Sequence, residues 1–141
     1  MEYGATDRFY QPQTAREAAH AALLPPFDEL DALERMGGEM EILVIIAGTL
    51  RDSQGELFAS IEAALALGDF EAAGRHAHSM KGALLALSAT PGATLAGAIE
   101  TAVRNATPAP YAQWLEMLRL ELGRLEWALA ELCDRESSAL T

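Results

Sequence analysis

Residues 111–135 read Tyr-Ala-Gln-Trp-Leu-Glu-Met-Leu-Arg-Leu-Glu-Leu-Gly-Arg-Leu-Glu-Trp-Ala-Leu-Ala-Glu-Leu-Cys-Asp-Arg. Tyr111, Leu115, Leu118, Leu122, Leu125, Leu129 and Leu132 follow one another at alternating spacings of four and three. That is a helical seam of the kind that packs helices at shallow angles. Trp114 and Trp127 lie beside it and are expected to flank the core. Such a seam serves either a bundle within one chain or a coiled-coil dimer. The rest of the sequence decides between them.

Working upstream, Thr107-Pro108-Ala109-Pro110 breaks the chain. Before it, residues 93–105 carry Leu95, Ala98, Ile99 and Ala102 at helical spacing. Pro91-Gly92 marks a turn or the first turn of that helix. Residues 70–87 form the next helix back, with Asp69 as its N-cap and Gly68 closing the one before. A long helix is expected over 39–67, with Ile42, Ile45 or Ile46, Thr49 or Leu50, Leu57, Ile61 and Leu65 inward. Gly48 and Gly55 weaken it. Gly37-Gly38 stops a short helix over 27–36, whose face is Phe27, Leu30 and Leu33, with Met36 as a further candidate. Residues 14–24, capped by Thr14 with Glu17 in the capping-box position, suggest one more short helix ended by Pro25-Pro26. Residues 1–13 show no period.

The connections between the four long helices are short, which favours antiparallel neighbours within one chain. The expected fold is therefore all-α: an antiparallel up-down four-helix bundle with one or two short N-terminal helices, as a monomer. Composition agrees. Half the residues are hydrophobic but only 6% are aromatic, and alanine and leucine dominate over the β-branched strand formers.

The net charge of −11 argues against nucleic acid or anionic membrane as a partner, since both require basic patches. The longest apolar stretch, 42–47, is too short to span a bilayer. Residues 1–4 lack the basic region and apolar core of a signal peptide, so a cytoplasmic location is expected. The single cysteine, Cys133, permits no intramolecular disulfide and is expected to be packed or partly buried. No nucleotide-binding glycine loop or kinase motif is present.

One short stretch carries chemistry: Ala77-His78-Ser79-Met80-Lys81-Gly82. Lys81 is the only lysine; the other nine basic residues are arginines. An ammonium on a flexible stem approaches a phosphate as a mobile point charge, unlike a planar guanidinium. On a helix, Ala73, Ala77, Met80, Leu84 and Leu87 collapse onto one stripe, which must face the core. His78 then points about 140° away from it, toward solvent. Lys81 and Gly82 neighbour His78 at i+3 and i+4, Arg75 precedes it by three, and Leu85 lies on the same outer face. An exposed imidazole offers a nucleophilic nitrogen. Lys81 could neutralise a phosphoryl group on it, and Gly82 leaves room for a partner to approach. Arg75 and Leu85 are candidate docking residues. His76 and His78 suggest a metal pair, but i and i+2 on a helix point about 200° apart and cannot share one ion. His76 is expected at the flank of the core.

These residues resemble the phosphoacceptor motif of histidine-containing phosphotransfer domains, the intermediate carriers of phosphorelays. The resemblance extends over 27–135. Phe27-Asp28 with Leu30, Leu33 and Gly37-Gly38 resembles the family's lead-in helix and turn, residues 63–69 the end of its long helix, and 95–105 with Ile99-Glu100 the following helix. Leu87-Ser88-Ala89 stands where the family usually has Leu-Gly-Ala. Ala83, Leu85 and Ala86 also depart from the small or amide-bearing residues common after Lys-Gly. Residues 1–26 lie outside the resemblance as an N-terminal arm, and 136–141 form a tail.

The resemblance implies that His78 carries a phosphoryl group between response-regulator receiver domains in a two-component phosphorelay. Lys81 would stabilise the phosphoryl charge. Receiver domains and a histidine kinase, hybrid or not, are the implied partners. The chain would bind no cofactor itself, and Mg²⁺ would sit in the partner's acidic pocket. Two other readings stand beside it: a helical interaction module that binds a receiver domain or kinase without accepting phosphate, and a dimeric scaffold joined through the 111–135 seam.

Overall fold

The computed structural model describes residues 24–139, so the expected helix over 14–24, with its cap Thr14, lies outside the described residues but for Leu24. Five helices follow one another: α1 (Glu29–Arg35), α2 (Met40–Ala66), α3 (Phe70–Ala86), α4 (Thr90–Arg104) and α5 (Tyr111–Ala139). Among the described residues there is no strand. Helix α2 packs on α3, α3 on α4, α4 on α5, and α5 back on α2. The four long helices thus close a bundle, and the short α1 lies against α2. No helix among the described residues is long and apolar enough to cross a membrane.

Local chemistry sets the boundaries. Asp28 and Asp69 cap α1 and α3, their side chains accepting from the Asp31 and Ala72 backbone N–H groups at 3.0 and 3.1 Å. Gly37 and Gly38 both adopt positive φ, where a side chain would strain the chain. Pro91 sits in the first turn of α4, so that helix begins at Thr90 rather than at residue 93. At the other end of the chain, α5 continues beyond Arg135 to Ala139.

The leucine seam of α5 is spent inside the bundle. Leu118, Leu122, Leu125, Leu129 and Leu132 are buried, while Tyr111 and Leu115 are partly so. The two tryptophans part company. Trp114 is buried in the core, one turn before Leu118 on the seam itself. Trp127 is 68% exposed, because it stands two residues from both Leu125 and Leu129 and so points away from them. It is not a core flank. On α2, Leu43, Ala47, Leu50, Gln54, Ile61 and Ala64 face inward. Ile42 and Ile45 face out, one or two positions off that stripe. On α1, Ala32 is buried and Leu30 is 80% exposed, so Leu30 does not share a face with Phe27. Cys133 is partly buried.

The turn between α3 and α4 explains one departure from the family pattern. Ser88 has φ +55°, the left-handed region that glycine enters at least cost. Two contacts hold the serine there. Its hydroxyl donates to Asp31 Oδ2, and its carbonyl accepts from the Asp28 N–H at 3.1 Å. The turn is thereby fastened to α1. The Ser88 and Arg35 hydrogen bonds hold the Asp31 carboxyl below its ordinary range.

Two polar clusters enter the core. Arg51 and Gln54 of α2 meet Glu126 of α5, with Arg51 Nη2 at 3.0 Å and Gln54 Nε2 at 3.2 Å. Glu121 of α5 is buried beside the start of α4. One of its oxygens accepts from Arg124 Nη1 at 2.7 Å, and the other, Oε2, has no partner among the described residues. Burial pushes its carboxyl up, against the opposing pull of Arg124. The folded state therefore holds this proton more tightly than the unfolded chain. The resulting stability is full below the unfolded carboxylate pKa and is lost as pH rises through the folded one. Glu121→Gln is expected to raise Tm at pH 7 by about 2–4 °C, as relief of about 1 kcal/mol would in a domain of this size. The gain should shrink as pH falls to 4. Paired melts across that range check it, and an equal gain at both ends would show that charge is not the cause.

Candidate functional site

Helix α3 presents the site because its other face is fully used. Ala73, Gly74, Ala77, Met80 and Leu84 are buried, and Leu87 after them. With Ala77 and Met80 packed inward, His78 must emerge between them, and its side chain is 62% exposed. Arg75 and Gly82 are exposed, and Leu85 stands 40% exposed one turn beyond Lys81. Among the described residues, a Cβ built on Gly82 would meet nothing within 4 Å, so none of them fills the space beside His78. His76 is only partly buried while His78 is exposed, as two positions on different sides of one helix require.

One further residue, outside the candidates drawn from the sequence, organises these groups. Glu100 projects from α4 and is buried, with 8% of its side chain exposed. Its Oε2 lies 2.8 Å from His78 Nδ1 and 3.2 Å from Arg104 Nη2. Its Oε1 lies 2.8 Å from Lys81 Nζ. Burial pushes this carboxyl up, but the hydrogen bonds and charges of Lys81 and His78 outweigh it and leave it below the ordinary glutamate value. An ionised carboxylate only accepts, so His78 donates its Nδ1–H to it. That selects the tautomer. The lone pair then resides on Nε2, at the far corner of the exposed ring.

Two glycines let the cations reach this carboxylate. The Lys81 stem crosses α4 at Gly97, where an added Cβ would come within 3.3 Å of Lys81 Cδ. The Arg104 stem crosses α3 at Gly74, where an added Cβ would touch its Cγ and Nε at 3.5 Å. Lys81, read from the sequence as free to meet a phosphoryl group, is thus engaged with Glu100 while a third of its side chain remains exposed. The sequence did hold a signal for Glu100. It is the only acid in α4, and it follows Ala96 by four and precedes Val103 by three, both buried. A lone carboxylate on an apolar stripe needs cationic or hydrogen-bonding company.

Among the described residues, no group of three or more His, Cys, Asp and Glu side chains is placed to hold a metal ion. The arrangement places together an exposed imidazole oriented through Nδ1, an ammonium one turn away paired with Glu100, and a glycine with no described neighbour. A family model described as the Hpt domain matches residues 46–135. No curated protein and no solved structure matches the chain.

Proposed function

The chain belongs to the Hpt domain family, and from that premise we propose that His78 carries a phosphoryl group between the aspartates of receiver domains in a phosphorelay. The observation that carries this reading is the 2.8 Å contact between His78 Nδ1 and the buried Glu100 carboxylate. It leaves Nε2 as the attacking atom. Nε2 attacks the phosphorus of a partner's aspartyl phosphate, the N–P bond forms, and the P–O bond to the aspartate breaks with the carboxylate leaving. No proton has to leave Nε2. The ring instead becomes a cation that still donates Nδ1–H to Glu100, so the buried carboxylate stabilises the charge created by transfer. The reverse step returns the group to a second receiver domain.

Lys81 sits where it can follow that charge. Its ammonium needs only to turn on its stem from Glu100 toward an oxygen of the new phosphoryl group. The partner's acidic pocket, with its Mg²⁺, would act from the other side of the phosphorus. Residues 27–135 make up the transfer domain in this reading.

The test is incubation with a phosphorylated receiver domain. The chain should gain a phosphate that is labile to acid and stable to base, as a phosphoramidate is, and peptide mapping should place it at His78. A chain that binds the receiver domain but gains no phosphate would instead be a non-catalytic interaction module. Glu100 acts through His78 as a positioning residue, so its removal should slow transfer rather than abolish it. Loss of one charge-assisted hydrogen bond is worth about 1.5–3 kcal/mol, which is about ten- to a hundred-fold in rate. Glu100→Ala is expected to lose that much, and Glu100→Gln, whose amide oxygen can still accept from Nδ1–H, to recover part of it. Single-turnover kinetics of the two variants measure this. Equal rates for both and the parent would remove the role.

A further inference from the structure

Among the described residues, His78 stands on the pair of long helices in which cations outnumber acids. Helices α3 and α4 together carry Arg75, Lys81 and Arg104 against Glu71 and Glu100. By contrast, α2 and α5 together carry ten acids and four bases. The described cations elsewhere are neutralised in place: Arg35 by Asp31, Arg51 by Glu126, Arg119 by Glu116, Arg124 by Glu121, and Arg135 by Glu29 and Glu136. Lys81 and Arg104 share the single carboxylate of Glu100. Arg75 makes no ion pair with any described residue, although Glu71 lies one turn before it on the same helix.

Arg75 also has a place to act. It lines an open cleft with Phe70, Glu71, Val103 and Arg104, between the start of α3 and the end of α4. Val103 is buried and Phe70 is 37% exposed, so the cleft joins an apolar wall to two guanidinium groups and one carboxylate, that of Glu71. It opens one turn before His78, on the side opposite Gly82 and Leu85. Guanidinium groups bind carboxylates bidentately.

We propose that this cleft receives an acidic side chain from the rim of the receiver domain, and that Arg75 with Arg104 sets which receiver domains dock. The proposal rests on the phosphotransfer reading for the identity of its partner. Charge complementarity supports this occupant: a carboxylate seated here meets Arg75 and Arg104 against the single carboxylate of Glu71, while the acid-rich α2 and α5 repel it. The arrangement would also orient the partner, because the paired cations lie to one side of the imidazole.

The experiment measures binding, so that it does not depend on transfer. The receiver domain of the source organism that binds the parent chain most tightly is titrated against the parent, Arg75→Gln and Arg75→Glu. The expected result is weakening by about three-fold for Arg75→Gln and about ten-fold or more for Arg75→Glu. The salt dependence of binding should be shallower in both variants than in the parent, since a screened attraction has been removed. The control is Arg119→Glu. Arg119 faces the α2–α5 side, in the field of Glu62, and its reversal should leave affinity within two-fold. Thermal melts confirm that each variant is folded. Unchanged affinity in Arg75→Glu would overturn the proposal, as would equal weakening in Arg119→Glu, which would mean that only net charge matters. Failure of His78 to accept phosphate would end the transfer reading but leave this binding result standing on its own terms.

Discussion

His78→Gln is expected to abolish labelling by a phosphorylated receiver domain, while His76→Gln should keep most of it. The contrast is sharp because the two histidines lie two residues apart on one helix and in different surroundings. His78 is exposed and oriented by Glu100, whereas His76 is partly buried. Glutamine preserves a polar side chain of similar reach but has no nucleophilic nitrogen, so an N–P bond cannot form on it. The substitution touches no core contact, since Ala77 and Met80 carry the packing on either side. Glu100 loses one donor but keeps Lys81 and Arg104 as partners, so the melting temperature should fall by only a few degrees, as for a loss of about 1 kcal/mol. The measurement is radiolabel incorporation with acid and base stability of the product. Labelling of His78→Gln at the parental level would sink the assignment. Transfer of the label to His76 in that variant would show that position, rather than orientation by Glu100, governs reactivity.

Much of this architecture is legible in the sequence, because period and punctuation are local properties. The α5 seam, the Asp28 and Asp69 caps and the Gly37-Gly38 stop each depend on a few neighbouring residues. The face of α3 that bears His78 follows from its alanines and leucines in the same way. What escaped depends on contacts between helices. Ile42 and Leu43 are adjacent aliphatics, and only the packing of α2 against its neighbours chooses Leu43 for the core. Trp127 is large and apolar, and only the rotation of α5 leaves it in solvent. Glu100 lies 22 positions after His78, so no local pattern joins them, and their hydrogen bond exists only because α3 and α4 pack side by side. Gly97 escaped for the same reason: its missing side chain matters only where the Lys81 stem crosses it. Ser88 shows the opposite case. Its departure from a common glycine is visible in the sequence, but the Asp31 hydrogen bond that sustains it comes from another helix.

Gly82→Gln should separate stability from function. Glycine inside a helix costs about 1 kcal/mol relative to a good helix former, and α3 runs through position 82 without interruption. A Cβ there would meet no described residue within 4 Å. Glutamine should therefore fit without displacing any neighbour, and it removes the backbone entropy that glycine brings to the unfolded chain. The expected melting temperature is equal to the parent's or higher by about 2–4 °C. Transfer should respond in the opposite sense. Position 82 is one helical turn from His78 on the same face, and a glutamine side chain would occupy the space through which a partner's aspartyl phosphate reaches Nε2. In-line transfer tolerates little misplacement, and a shift of about 1 Å can cost about a hundred-fold in rate. A loss of at least that size is expected in accepting phosphate, with the His78–Glu100 hydrogen bond undisturbed. Paired melts and transfer kinetics decide the matter. Unimpaired transfer would mean that the partner does not approach over position 82. A large fall in melting temperature would make Gly82 a packing glycine, contrary to the open space around it.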